Sequence, residues 1–386
     1  MDSRTRPVSA SKWGIASAIA LALAAPVSSL QAIVNSGGDA PLWARSWNGF
    51  RMADEARGRL SGDPGNPQAG LTLGTDAPAL ARAAYAQEPL ASDAVFVLAL
   101  AESGSLTEYR ASPTARLGAE IDKRNALLEL LLIADAARRE DYRAMFDYAD
   151  VLAAANPDMA RIVLAPLFDQ LGDPAVLPVV TTALDRNARW ADAFRSYVPG
   201  EEAALRNYLS LRRQAPAGSR WESDDRLIKE LVKRRMFDEA FAVWRLADGE
   251  SQNQYGFITG DRFAPIGWQQ VARGDRTAQV DSNGTMSVSV ERGAGGEVAR
   301  QLLDLPPGRY RLETTVQSTD STAPLWIALS CAEGSNGERQ PLKPQVEFAV
   351  ASADCPAYWL IVGASALESR RRLEATISGW RFSRAS

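Results

Sequence analysis

LLDLPPGRYRLETTV, residues 302–316, joins a short apolar run to a Pro-Pro-Gly turn and then to alternating strand chemistry. Leu312, Thr314 and Val316 alternate with Glu313, Thr315 and Gln317, the two-residue period of a strand with one buried face. Pro306-Pro307-Gly308 predicts a turn, and with it a hairpin whose Leu312, Thr314 and Val316 seat one sheet. The residues before about Gly249 read as helix, whereas those around and after this stretch read as strand. The fold class that follows is multidomain, α then β.

On the strand side, Met286–Glu291, Val298–Leu305, Tyr310–Ser318, Leu325–Cys331, Gln345–Val350, Tyr358–Ala364 and Leu373–Phe382 are short runs separated by turn residues. That spacing predicts an antiparallel β-sandwich or jelly roll over 251–386. On the helix side, Ala126–Arg138 and Tyr142–Ala155 flank a short Arg-Glu-Asp turn. Lys229–Leu246 repeats the form of helix, basic turn and helix. Ser61–Pro67 is a dense turn signal, and Asp76 with Pro78 opens another helix. The segments 81–89 and 149–157 match in small residues and in their closing prolines at a separation of 68, twice the 34-residue tetratricopeptide length. Residues 41–250 are therefore expected to form a tetratricopeptide-like α-solenoid.

Composition removes whole classes of function. Across 386 residues the chain is 46% hydrophobic and 23% charged, which leaves ample material for large cores. The net charge of −4 is made of interspersed acids and bases, so no broad basic face awaits nucleic acid. Histidine is absent, which removes Ser-His-Asp and Cys-His nucleophile pairs and His-ligated zinc. No residue cluster points to a metal, a cofactor or a catalytic set. Gly293–Gly296 lacks the GxGxxG form of a dinucleotide loop and precedes a strand.

Residues 1–34 carry Arg4, Arg6 and Lys12 ahead of the uncharged, apolar run Trp13–Val34. Ala22-Leu23-Ala24 and Pro26 suit a cleaved export signal, while the length of the run also suits a single transmembrane anchor. Either places the body in the periplasm, after a linker at 35–40. Cys331 and Cys355 stand in no metal-spaced cluster, so they form a disulfide if the compartment oxidises and two buried thiols otherwise.

Several longer stretches carry a family likeness: residues 189–194 (RWADAF), 237–244 (FDEAFAVW), 263–268 (FAPIGW), 296–310, the Cys331 and Cys355 pair, and a last strand at 377–382. In these the chain resembles exported tetratricopeptide-like proteins from envelope or exopolysaccharide regions of alphaproteobacteria. The resemblance implies a helical scaffold followed by a carbohydrate-binding-module-like sandwich. Its implied partners are envelope or polysaccharide-assembly proteins, a polysaccharide, and the membrane through an uncleaved N-terminal segment.

With that resemblance, Trp268, Tyr310, Trp326, Tyr358 and Trp359 are the candidate glycan contacts, because aromatic faces stack on sugar rings; the competing role for each is packing in the sandwich core. Glu291 and Glu297 flank a Gly-rich turn and are better read as solvated charges than as a glycosidase pair. The basic runs 233–235 and 370–372 read as solvated edges, with an anionic polysaccharide or lipid headgroups as the competing partners. The expected function is a non-catalytic scaffold in envelope or exopolysaccharide assembly, and the alternative is a carboxylate-dependent glycan hydrolase or lyase.

Overall fold

The computed structural model describes residues 48–62, 71–103, 110–248, 255, 257–318, 325–334, 337–351, 355–369 and 371–385. The expected signal or anchor at 1–34, the linker at 35–40, the polar junction at 249–254 and Arg370 of the second basic run lie outside these residues. The chain divides into two compact units, one reaching to Leu167 and including Pro174–Ala193, the other formed by Phe168–Asp173 and Phe194–Ser386.

The first unit is built on α1 (Gly49–Gly58), α2 (Ala77–Gln87), α3 (Ser92–Ser103), α4 (Pro113–Ile121), α5 (Ala126–Arg138), α6 (Tyr142–Ala155) and α8 (Val176–Asp185). Two further helices, α7 (Pro157–Asp169) and α9 (Ala191–Arg195), run across the division. Side-chain caps start several of them: Asn48 accepts from Arg51 N, Ser112 from Ala115 N, Asn125 from Leu127 N and Leu128 N, and Asp141 from Ala144 N. The core of the first helices is alanine, with Ala53, Ala56, Ala77, Ala81, Ala84 and Ala94 all buried, and such small side chains let helix axes approach closely. Gly49 shows how closely: a Cβ there would lie 2.5 Å from Glu88 Cβ and 2.8 Å from the Ala84 carbonyl oxygen. The short strands β1 (Leu60–Gly62) and β2 (Leu71–Leu73) pair antiparallel beside α1, and neither they nor α4 were legible as elements in the sequence.

Three helix pairs, α5–α6, α8–α9 and Asp224–Lys233 with Phe237–Asp248, share one turn geometry. Glu140, Asn187 and Arg235 adopt left-handed backbone, with φ of 55°, 52° and 60°. At each, the next residue's N–H donates back to the helix (Asp141 to Ala136, Ala188 to Ala183, Met236 to Leu231), and the left-handed residue's own N–H donates to Ala137, Leu184 or Val232. These are the two bonds of a Schellman closure, which satisfies carbonyls that a helix end leaves unpaired. The three turns recur 47 and 48 positions apart, a longer interval than the expected 34.

Glu129, in the first turn of α5, is 3% exposed, and its Oε2 has no hydrogen-bond partner among the described residues. Burial raises its pKa from 4.5 to about 7, opposed more weakly by the charge of Lys123. Between those two pH values the folded chain holds a proton that the unfolded chain releases. This group's stabilising contribution is therefore complete below about pH 4.5 and is lost as pH rises through 7. Glu129→Gln should remove a fall of up to about 3 kcal/mol in stability between pH 5 and pH 8. Urea unfolding followed by circular dichroism at those two pH values checks it, and identical slopes for both chains would count against it.

The second unit opens with a 3-10 turn, Gln170–Gly172, followed by α10 (Glu202–Gln214), α11 (Asp224–Lys233) and α12 (Phe237–Asp248). Phe168, Phe194, Tyr208 and Trp221 pack edge to face or tilted at 5.0–5.5 Å between successive rings, a geometry aromatic quadrupoles favour. After α12 the described residues form ten strands: β3 (Gln269–Gln270), β4 (Arg276–Val280), β5 (Met286–Val290), β6 (Gly295–Leu303), β7 (Gly308–Ser318), β8 (Leu325–Cys331), β9 (Gln340–Pro341), β10 (Gln345–Val350), β11 (Tyr358–Ser365) and β12 (Leu373–Arg384).

They form two antiparallel five-stranded sheets, ordered β10-β7-β12-β5-β4 and β3-β6-β11-β8-β9, whose inner faces close over one core. The α-then-β order and the sandwich therefore stand. The hairpin expected at 302–316 does not form, because β6 and β7 belong to different sheets. Pro306-Pro307 lacks the N–H donors a ladder needs, so the chain leaves one sheet there and enters the other. Leu312 and Thr314 are buried on β7, which pairs between β10 and β12, and Val316 packs against the core as the alternation predicts.

Candidate functional site

Each sheet shows one outer face, and both faces follow from strand alternation. On the first sheet, buried Ala278, Val280, Met286, Val288, Ala375 and Ile377 turn inward, leaving their polar neighbours outside. Register then sets these in cross-strand rows: Gln279 opposite Ser287, Ser287 opposite Thr376, Thr376 opposite Gln317. A second row runs Thr277, Ser289, Glu374. Together they line a groove of about 570 Å3. Four adjacent strands span roughly 14 Å, which is the groove's width across the sheet. Glu374 is the acid among its lining residues and lies 3.7 Å from Arg372, whose Nε donates to Ser289 Oγ at 2.6 Å.

On the second sheet, β11 and β8 put two half-buried tryptophans outside. Trp359 lies opposite Leu302 and Ser330, and Trp326 lies opposite Gly363. The Trp326 indole rests flat on that glycine, since a Cβ on Gly363 would sit 2.1 Å from its ring carbons. A guanidinium covers each ring: Arg339 Cζ is 4.4 Å from the Trp326 centroid and Arg300 Cζ 4.5 Å from that of Trp359. Arg300 Nε donates to Gln269 Oε1 at 2.8 Å and is 3.6 Å from the Glu297 carboxylate.

The five aromatic candidates are thus divided. Trp268, Tyr310 and Tyr358 are buried in the sandwich and have no face to offer a ligand. Tyr310 stacks on Phe382 at 5.5 Å and donates its hydroxyl to the Pro306 carbonyl, and burial raises its pKa. Trp268 packs on Trp380 at 5.0 Å, and the indole N–H of each is buried with no acceptor among the described residues. The hydrophobic payload that made these residues candidates is what places them in the core. Trp326 and Trp359 alone reach the surface, and the outer Thr, Ser and Gln of the first sheet were missed. Their signal was present in the strict alternation of Met286–Val290 and Leu373–Ile377, where polar residues hold every outward position.

Cys331 and Cys355 are joined by a disulfide, with Cα atoms 5.8 Å apart. Glu291 pairs with Arg372 at 3.5 Å and Glu297 with Arg300. Among the described residues no group of three or more Cys, Asp or Glu is placed to hold a metal, and no helix is long and apolar enough to cross a membrane. In the first unit, α2, α3 and α4 leave an apolar groove of about 560 Å3 lined by Tyr85, Val95, Leu98, Leu117 and Ile121.

These features define a helical protein with a C-terminal antiparallel β-sandwich. No family model matches the chain, and no curated protein matches it. Among solved structures it is similar to TmCBM61 in complex with beta-1,4-galactotriose, at 12% identity over 31% of this chain and 88% of that one, with a TM-score of 0.21. It is also similar to a CBM4, at 16% identity over 31% of this chain and 96% of the other, with a TM-score of 0.23.

Proposed function

We propose that the protein is a non-catalytic, periplasm-facing scaffold that holds a glycan on its sandwich and partner proteins on tetratricopeptide-like helix pairs, in envelope or exopolysaccharide assembly. The observation that carries the glycan reading is the groove on the first sheet. Its walls are hydroxyls and amides, each able to donate and accept, arranged in rows by strand register. A neutral sugar chain presents the same chemistry, one hydroxyl after another. Catalysis by paired carboxylates needs two acids across a cleft, and this lining supplies one, Glu374. The apolar groove between α2, α3 and α4 supports the partner reading, and an N-terminal anchor or a cleaved signal accounts for export.

Affinity electrophoresis of the full chain against neutral β-glucan, galactan and mannan tests the groove. At least one should retard it. Gln279→Ala/Gln317→Ala should weaken that binding by roughly tenfold to thirtyfold, about 1 kcal/mol for each hydrogen bond removed. No retardation by any neutral glycan, with flat calorimetry, overturns the reading. Turnover of a retarding glycan, detected as new reducing ends, would favour the hydrolase alternative.

A further inference from the structure

The outer face of the second sheet is chemically unlike the groove. Trp326 lies between Gly363 and the Arg339 guanidinium, and Arg300 covers a face of Trp359, so the ring faces a sugar or a base would stack on are already taken by guanidiniums. What the face presents instead is two guanidiniums, each held over an indole with its Cζ within 4.5 Å of the ring centroid. An arginine stacked in this way keeps its N–H fork in the plane, directed sideways, which is the arrangement that grips a carboxylate with two parallel hydrogen bonds. Stacking also removes much of the side-chain entropy such a grip would otherwise cost.

Strand register spaces the two tryptophans. Trp359 and the Gly363 beneath Trp326 are four residues apart on β11, roughly 13 Å along the strand. Arg300 is fixed at its Nε by Gln269 and Glu297, so its Nη side is the one an incoming group meets. Arg339 is exposed at the far side of Trp326, beside the edge strand β9. We propose that this face is a second, two-point binding site for an acidic polysaccharide, its carboxylates received by Arg300 and Arg339. A nucleic-acid strand is disfavoured because its bases would need the ring faces that the guanidiniums occupy. The site stands apart from the neutral-glycan groove, on the other sheet of the sandwich.

The test uses the full chain with soluble polygalacturonate, the fully methyl-esterified polymer, and an oligo(dT) strand, at low and moderate salt. Polygalacturonate should bind, with affinity falling as salt rises, and esterification should cost at least tenfold. Arg300→Gln/Arg339→Gln should cost at least tenfold, and Arg339→Lys, which keeps charge but loses the fork, an intermediate amount. The matched loss of two exposed charges elsewhere, Arg161→Gln/Arg213→Gln, should change affinity by less than twofold, as should the groove variant Gln279→Ala/Gln317→Ala. No binding of polygalacturonate, equal losses in the two arginine pairs, or oligo(dT) binding that the Arg300/Arg339 variant abolishes would each overturn the site. Loss of polygalacturonate binding in the groove variant alone would assign the acidic chain to the groove and overturn it as well.

Discussion

Asp224→Ala is expected to destabilise the second unit by about 3–5 kcal/mol, the usual cost of stranding one member of a buried ion pair. Arg212 and Asp224 are both 0% exposed. Arg212 Nε donates to Asp224 Oδ1 at 2.8 Å and Nη2 to Oδ2 at 3.1 Å, while Nη2 also reaches the Ser219 carbonyl at 2.7 Å. Asp224 accepts in addition from Trp221 N at 2.8 Å, and the guanidinium lies 5.2 Å from the Trp221 ring centroid. Removing the carboxylate leaves a full positive charge in the core with one carbonyl to satisfy it. Arg212→Met/Asp224→Leu should recover part of the loss, because two apolar side chains leave no buried charge behind, while the Trp221 N–H still loses its acceptor. Chemical unfolding monitored by tryptophan fluorescence measures both. A single-variant loss below about 1 kcal/mol, or a double variant no better than the single, would show that the pair is not the tie between α10 and α11 that its geometry describes.

Reduction of Cys331–Cys355 is the second large effect. Opening a loop of 24 positions should lower stability by about 3–4 kcal/mol, chiefly through the freer unfolded chain. The bond ties the end of β8 to the segment entering β11, next to the Ser330–Trp359 pair. Its loss should therefore lower the unfolding midpoint of the sandwich, with the helical signal less affected. Guanidinium titrations with and without a phosphine reductant, following alkylation of both thiols, read the difference. Superimposable curves would show that the bridge constrains nothing the sheets do not already hold.

Sequence reading succeeded where local chemistry and final environment agree. Ala126–Arg138 and Tyr142–Ala155 were legible to the residue, because Asn125 and Asp141 are capping residues and the turn between them closes on itself. Gln345–Val350 was equally clear, since exposed and buried positions alternate along it, and Leu325–Cys331 was legible as an apolar run although its burial does not alternate. The failures were of two kinds. Pro306-Pro307-Gly308 has turn chemistry whether the next strand pairs with the last one or crosses to a second sheet, and no local residue distinguishes the two. Aromatic content is likewise silent on direction: Tyr358 and Trp359 are adjacent, yet pleating sends one inward and the other out.

The amino acids alone determined that helices precede strands, that two cysteines fall within the strand region, and that histidine chemistry is unavailable, because each depends only on which residues occur and at what period. Tertiary structure decided which tryptophans reach the surface, that Arg300 and Arg339 cover them, and that Thr, Ser and Gln from four strands form one groove. Those facts depend on register between strands whose paired residues lie up to about 90 positions apart, and register is set by packing of the whole sandwich core rather than by any segment within it.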